Sequence, residues 1–202
     1  VKHIDLVKRR ILNGEQIPHG EKVFSIFEPH AEWLAKGKTN HPVEIGHNTL
    51  ITTDQYHFIL THKVLEKEVD KEQPQQLAEN IKTSYLNTGF YRLASSSFDR
   101  GFYSKDNDDC WKEICDTVVM PKPGKKSKIR QAEESEPMFK HFKKKHSAVE
   151  SNINELEHAG VSRVPDRGID GFKRYVALGV LAYNIKRLGK VIADKETGKK
   201  SR

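Results

Sequence analysis

The segment SSFDRGFY, residues 96–103, is the strongest indication of how this chain folds. Asp99 follows a short stretch, residues 91–98, that has the length of a buried strand, and Gly101 ends the stretch. The Asp99 side chain is therefore expected at the carboxyl end of that strand, the edge where open α/β sheets place ligands. Further along, Glu150 lies in the segment KHSAVE, residues 145–150, on a predicted helix. An acid at a strand end and an acid on a helix are typical of carboxylates that hold divalent metals for phosphodiester chemistry.

The segments on either side of Asp99 predict a mixed α/β fold. Apolar residues at helical spacing predict helices at 74–86, 106–116 and 147–158, and a strand is predicted at 117–120. Earlier in the chain, two apolar segments are separated by the dipeptide Asp54-Gln55, which is the length of a tight hairpin connection. These segments, 43–53 and 56–64, are therefore predicted to form an antiparallel pair.

The two ends of the chain also have interpretable patterns. A short basic helix is predicted at 4–12, a strand at 23–27 and a polar stretch at 32–38. The long segment 171–193 is almost wholly apolar near its centre, which predicts a buried helix whose first turn is capped by Asp170.

The charge balance favours a polyanionic partner. The chain has 202 residues, with 35 Lys and Arg against 28 Asp and Glu, which gives a net charge of +7. Cations concentrate in residues 121–145, which also contain prolines and a glycine and are predicted to be a segment that is mobile or faces DNA. A solvated lysine-rich loop explains the same composition. The candidate phosphate contacts are Arg100, Lys125, Lys126, Lys128, Lys143, Lys144 and Lys145.

Several classes of protein are disfavoured by the composition. Cys110 and Cys115 have neither redox nor zinc spacing and are interpreted as reduced thiols of a cytoplasmic protein. The ten histidines show no zinc pattern, although His146 lies one helical turn before Glu150 and is a candidate DNA contact. No apolar run reaches the length of a membrane span, so no membrane partner is expected.

The order of these elements resembles the C-terminal catalytic part of bacterial insertion-sequence transposases of the DDE type. The order is a strand hairpin, a helix, the strand ending at Asp99, a helix, a strand, a basic segment and a helix bearing Glu150. Further stretches are also similar to this family. They are FEPHAEW at 27–33, KGK at 36–38, RGIDGFKRY at 167–175 and LAYNIKRLG at 181–189. The resemblance covers roughly residues 20–192.

The resemblance implies a ribonuclease H-like mixed sheet flanked by helices, and metal-dependent cutting and joining of DNA at the ends of a mobile element. Carried over by position, Asp99 is the second acid and Glu150 the third, with Asp70 in a weaker supporting role. The implied metal is Mg²⁺ or Mn²⁺, and the implied partner is double-stranded DNA of the element ends and target. The complete protein is expected to be a homo-oligomer. The implied organisation is an N-terminal arm (1–22), a catalytic core (23–193) and a basic disordered tail (194–202).

The first acid of the family has no counterpart in this chain. Asp5 lies in a basic helical segment and Asp54 in a hairpin turn, and neither position suits a first strand. We therefore expect the first strand and its acid to lie upstream of Val1, and we expect this chain alone to be inactive.

The surroundings of Glu150 also depart from the family. Related enzymes often have tyrosine, arginine and lysine at set offsets from this glutamate, where this chain has Lys143, His146 and Glu157. The first two can still contact phosphate, whereas an acidic side chain cannot replace the lysine.

Three functional hypotheses follow. The first is the catalytic part of a DDE transposase. The second is a basic nucleic-acid-binding module without catalysis on the same scaffold. The third is a metal-dependent nuclease of the same superfold that cuts without strand transfer.

Overall fold

The computed structural model describes residues 2–35, 42–86, 89 and 92–198, and it confirms a mixed α/β chain. Its helices and strands follow in this order: α1 (Lys2–Ile11), β1 (Glu32–Ala35), β2 (Val43–Gly46), β3 (Thr49–Thr53), β4 (Ile59–Val64), α2 (Gln73–Leu86), β5 (Leu93–Ser97), α3 (Lys105–Ile114), β6 (Cys115–Val119), α4 (Lys128–Ser135), α5 (Pro137–Lys145), α6 (Ser147–Leu156) and α7 (Gly168–Glu196). The chain divides into two compact units, Glu68–Glu155 and the remainder. Within the described ranges, no helix has the length and apolar composition needed to cross a membrane.

The unit Glu68–Glu155 contains the predicted strand, helix, strand sequence around Asp99. β5 and β6 pair in parallel, with Leu93 opposite Cys115 and Ser97 opposite Val119, and α3 makes the connection between them. Ser104 caps α3 by accepting the Asn107 backbone N–H at 3.1 Å. The core of the unit consists of Leu77, Ala78, Trp111, Ile114 and Met120. The helices predicted at 74–86 and 106–116 are therefore confirmed within two residues at their starts and ends.

The other unit contains two antiparallel strand pairs. β3 and β4 pair from Thr49 opposite Val64, which confirms the predicted hairpin at its second half. The predicted first strand of that hairpin, 43–53, is wrong in its length, because it divides at His47 and its first part, β2, pairs with β1. The polar stretch expected at 32–38 therefore begins with a strand, whereas residues 36–38 lie outside the described part of the chain.

The strand predicted at 23–27 is wrong. The Ser25 hydroxyl accepts the Glu28 backbone N–H at 3.0 Å, and this contact closes a turn where an extended chain was expected. Phe27 remains 88% exposed, while the Phe24 ring lies 5.5 Å from the Trp33 ring. Side-chain packing and a local turn replace a strand ladder at this position.

The last helix differs from the expectation in burial and limits. α7 begins at Gly168 and ends at Glu196, and only one face is buried, through residues such as Val176, Val180 and Tyr183. Asp170 lies inside the first turn and does not cap it. The backbone N–H of Gly168 instead donates to the Glu28 carboxylate at 2.9 Å, so a residue distant in sequence satisfies the helix start.

The strands of the described ranges form three two-stranded sheets: β1-β2, β3-β4 and β5-β6. In the described part of the chain, the strands therefore do not pair into the single mixed sheet that the resemblance implies. The expected arm, core and tail limits stay predictions, although residues 194–196 belong to α7.

Candidate active site at the carboxyl end of strand β5

Asp99 lies where the sequence predicts, immediately beyond the end of β5. The backbone N–H of Phe98 donates to Val119 O at 2.9 Å, which extends the parallel ladder by one residue before the chain turns. A short 3₁₀ helix, Arg100–Phe102, follows, and the Asp99 carboxylate accepts the Arg100 backbone N–H at 2.7 Å. Asp99 is exposed to solvent beyond the end of the strand.

Asp70 approaches this turn from another part of the unit. A Cβ placed on Gly101 would lie 3.0 Å from Asp70 Oδ2, so the absence of a side chain at Gly101 permits the approach. The buried Asn107 side chain holds the two turns together, because its amide donates to Lys71 O at 2.8 Å and to Phe102 O at 2.9 Å. The supporting acid and the predicted second acid are thus on adjoining turns.

His146 connects the end of β5 to the start of α6. The Ser97 hydroxyl and His146 Nδ1 are 3.0 Å apart, and the Val149 backbone N–H donates to His146 O at 2.9 Å. Glu150 lies in the first turn of α6, where the helix dipole favours a carboxylate, and its side chain is exposed. The structure therefore brings the helix that bears Glu150 to the strand end that precedes Asp99.

The described residues do not by themselves complete a metal site. Within the described ranges, no three His, Cys, Asp or Glu side chains lie close enough together to hold a metal ion. The carboxylates of Asp99, Asp70 and Glu150 have suitable chemistry for a hard cation, but as they lie here they do not fit a closed Mg²⁺ or Mn²⁺ site. Metal binding by Asp99 and Glu150 stays a prediction, and no chemical step is assigned to a metal in this chain.

The basic segment 121–145 is folded rather than a loop. The Ser127 hydroxyl caps α4 by accepting the Arg130 backbone N–H at 3.2 Å, and Pro137 occupies the first turn of α5. A lysine-rich loop is therefore wrong for 128–135 and 137–145, where Arg130 pairs with Glu133 and Glu134 at helical spacing, and the mobile or DNA-facing character of the segment stays a prediction.

The predicted phosphate contacts divide into two groups. Lys126 is 2.5 Å from Glu134 and is half-buried, so much of its charge is already compensated inside the protein. Burial raises the pKa of Glu134, but the bonds from Lys126 and from the Lys122 backbone N–H lower it more, and the carboxylate stays charged. The other candidates are exposed to solvent. They are Arg100, Lys125, Lys128, Lys143, Lys144 and Lys145.

Two groups of this unit were missed by sequence reasoning. Ser97 is the partner of His146, and the signal that could have found it is the run of three serines that ends the predicted strand. Arg130 is nearly buried, donates to Met120 O at 2.6 Å and lies beside Asp108 and Glu133. Its partners Glu133 and Glu134 lie at helical spacing on α4, but its contacts with Asp108 and Met120 O come from distant segments that no spacing rule identifies.

A second polar cluster lies in the other unit. His30 Nδ1 and His47 Nε2 are 2.8 Å apart, and the outer nitrogens of the two rings contact Glu28 at 2.9 Å and Glu32 at 3.0 Å. His47 is almost fully buried, with Phe172 at its edge, and its Nδ1 also contacts Leu65 O. The cluster joins the segment before β1, the β2-β3 connection and the start of α7.

The Glu28 carboxylate makes this cluster sensitive to acid. The Gly168 backbone N–H, and next the His30 ring, hold the pKa of Glu28 below the ordinary value of a glutamate. A carboxyl with a lowered pKa stabilises the folded state above the unfolded pKa, and this contribution disappears as the pH falls through the folded pKa. We expect Glu28→Gln to lower the melting temperature at pH 6, and we expect the difference from the wild type to shrink below pH 4.5.

Thermal unfolding followed by circular dichroism from about pH 3 to 6 measures this difference. Glu157→Gln, an exposed substitution in the same unit, serves as the control and should follow the wild type throughout. A Glu28→Gln difference that stays constant across the range would contradict the assignment.

Comparison with known proteins identified no relative of this chain. Neither the protein-family models, nor the curated proteins, nor the solved structures contain a match to this chain.

Proposed function

We propose that this chain is the C-terminal catalytic part of a DDE-type DNA transposase with a ribonuclease H-like core. The observation that carries the proposal is the Ser97–His146 hydrogen bond. It joins the strand end that precedes Asp99 to the helix that begins just before Glu150. Two acids on a strand end and a neighbouring helix are an arrangement that suits phosphodiester chemistry with divalent ions.

The proposed roles follow from position. Asp99 and Glu150 are two carboxylates of the site, Asp70 supports the turn beside Asp99, and His146 orients the first turn of α6. In the proposal, Asp99 and Glu150 would contribute two of the ligands of Mg²⁺ or Mn²⁺, which would supply Lewis-acid chemistry for phosphodiester cleavage. Because the described residues do not close a metal site, a further carboxylate is needed, and the chain alone is inactive in this proposal.

The exposed cations supply the DNA contacts of the proposal. Lys143, Lys144 and Lys145 form the last turn of α5, directly before His146 and α6. A cationic turn beside the proposed site would bind the phosphate backbone without reading sequence. The same lysines support the second candidate function, a nucleic-acid-binding module without catalysis.

The test compares this chain with a version extended upstream through its reading frame. In the extended version, we expect Asp99→Asn and Glu150→Gln each to lower strand transfer at least ~100-fold in Mg²⁺ or Mn²⁺, with DNA binding unchanged. The matched control is Asp109→Asn, another exposed acid of the same unit, which should retain activity. Cleavage and joining of labelled element-end DNA are read on denaturing gels.

Further outcomes of these experiments separate the transposase from the nuclease and from the non-catalytic binding module. The chain alone should bind DNA in a salt-dependent manner without nicking it. Nicking by the chain alone that Asp99→Asn abolishes would favour the nuclease and contradict the inactive fragment. Binding without strand transfer in the extended version would favour the non-catalytic module.

A further inference from the structure

We propose that His30 and His47 hold one extra proton between them and form a pH-sensitive latch on the start of α7. His30 Nδ1 and His47 Nε2 are 2.8 Å apart, and the outer ring nitrogens contact the carboxylates of Glu28 and Glu32. We call these four side chains the histidine latch. The proposal is independent of the proposed DNA chemistry, because none of these residues belongs to that site.

The two imidazole rings meet end to end. Their planes are inclined by only 14°, and their centres are 5.1 Å apart. This separation exceeds the 2.8 Å contact between the nitrogens by about two ring radii, so both nitrogens lie on the line that joins the ring centres. Each nitrogen therefore points its hydrogen or its lone pair directly at the other, which is the geometry of a hydrogen bond.

The same geometry does not suit a metal ion. Bonds from an imidazole nitrogen to zinc are about 2.0–2.1 Å long, so an ion on this line would need the two nitrogens to be about 4 Å apart. An ion beside the line would need lone pairs that converge on it, whereas here the two ring nitrogens point along the line. A proton is the cation that fits a gap of 2.8 Å.

The partners of the outer nitrogens determine how many hydrogens the rings carry. His47 Nδ1 lies 3.1 Å from Leu65 O, a carbonyl oxygen that can only accept, and 3.0 Å from the Glu32 carboxylate. His30 Nε2 lies 2.9 Å from the Glu28 carboxylate, and the lowered pKa of Glu28 keeps this group an acceptor near neutral pH. Both outer nitrogens must therefore carry a hydrogen.

The contact between the rings requires one more hydrogen, which makes three hydrogens on the four ring nitrogens of His30 and His47. Two neutral imidazoles carry only two hydrogens, so the pair holds one extra proton and a single positive charge. A fourth hydrogen would set one N–H against another, and the loss of a hydrogen would leave one of the contacts without a donor. The histidine latch is therefore closed only while it holds one extra proton.

Charges around the rings favour the extra proton over a neutral pair. The carboxylates of Glu28 and Glu32 face the rings from the segment before β1 and from β1, and opposite charges stabilise a cation that is shielded from water. On the α7 side, His47 meets the apolar ring of Phe172. Further charged groups near these contacts are Arg167, which lies near Glu28, and the ion pair of Lys173 with Glu66.

The histidine latch fastens segments that are distant in the sequence. His30 belongs to the segment before β1, and His47 belongs to the β2-β3 connection. Glu28 also accepts the backbone N–H of Gly168, the first residue of α7. Because the His30 ring holds the Glu28 carboxylate, opening the contact between the rings releases both side chains. A change of pH is thereby transmitted to the start of α7.

The pH dependence of unfolding tests the proposal. Unfolded histidines have a pKa of about 6.5, so unfolding releases the shared proton above this pH and takes up a second one below it. Both changes favour the unfolded wild type. The variant with His30→Gln and His47→Gln has no proton to share. The ratio of its unfolding constant to that of the wild type should be largest near about pH 6.5 and fall by up to ~10-fold per pH unit on either side.

Urea denaturation followed by circular dichroism from about pH 5 to 8.5 gives these unfolding constants. The matched control is His62→Gln with His158→Gln, two exposed histidines of the same unit, and its ratio to the wild type should be flat. A flat ratio for the variant at His30 and His47 would overturn the proposal. A peak of the same height in the control would overturn it as well.

A count of hydrogens in the wild type keeps the test decisive if the double variant loses its fold. Nitrogen-15 NMR of the imidazole rings near about pH 6.5 should show three N–H hydrogens on His30 and His47 together. One of them should be coupled to a nitrogen of each ring, because it lies in the contact between them. Two hydrogens on the pair, or no hydrogen coupled to both rings, would contradict the shared proton.

Discussion

Arg130→Met is expected to lower the free energy of unfolding of the unit Glu68–Glu155 by about 2–3 kcal/mol. Arg130 is 8% exposed, and the nearly buried carboxylates of Asp108 and Glu134 lie 3.4 and 3.3 Å from its guanidinium nitrogens. The guanidinium also lies 5.1 Å from the centre of the Tyr103 ring and donates to Met120 O. Removing it leaves Met120 O without its donor and withdraws one of the cations beside Asp108 and Glu134, which keep Lys112 and Lys126, while methionine supplies only apolar contact.

Urea denaturation followed by circular dichroism measures this loss. Lys128→Met is the matched control, because Lys128 is exposed two residues earlier on the same helix and should change stability by less than about 0.5 kcal/mol. Arg130→Lys should fall between the two, since it keeps the charge and loses the planar set of donors. Equal stability of Arg130→Met and Lys128→Met would refute a structural role for the network.

Gly179→Ala is expected to destabilise the unit that contains α7 by about 1–3 kcal/mol, although alanine is the better helix former. A Cβ on Gly179 would lie 2.4 Å from Val161 Cγ2 and 3.9 Å from Leu156 Cδ1. Val161 lies at the end of the turn Glu157–Val161, in which Gly160 has a φ of +104°, so the short valine side chain cannot easily move away. Overpacking should outweigh the gain in helix propensity.

Gly189→Ala is the control, because its Cβ would enter open space on the same helix. We expect this substitution to stabilise the chain by about 0.5–1 kcal/mol, the ordinary difference between glycine and alanine in a helix. Urea denaturation of both variants at a low protein concentration gives the comparison. If both substitutions change the free energy of unfolding in the same direction, Gly179 does not have a packing role.

The sequence predicted helices and strands correctly where the residues of a single segment determine its conformation. The helix α2 was predictable from apolar residues at helical spacing, and the strand β5 from its length and its ending at Asp99-Arg100-Gly101. The predictions failed where a neighbour distant in sequence decides the structure. Residues 23–27 have strand composition but find no ladder, and Glu28 rather than Asp170 satisfies the start of α7.

The candidate site, too, was predictable only where it depends on the conformation of a short segment. The position of Asp99 beyond a strand and that of Glu150 on a helix follow from the sequence, because each depends on the conformation of a short segment. The Ser97–His146 bond and the approach of Asp70 to Gly101 do not follow from it, since they join residues far apart in the chain.

The sequence by itself determined the α/β character, the basic charge and the two acids, because composition and periodicity are properties of the chain alone. The tertiary structure decided which of these features face solvent. It compensates Lys126 with Glu134, buries Arg130, and leaves Leu181 and Ile185 of α7 exposed where the apolar sequence predicted a buried helix. Exposure depends on which surfaces pack together, and long-range contacts determine that packing.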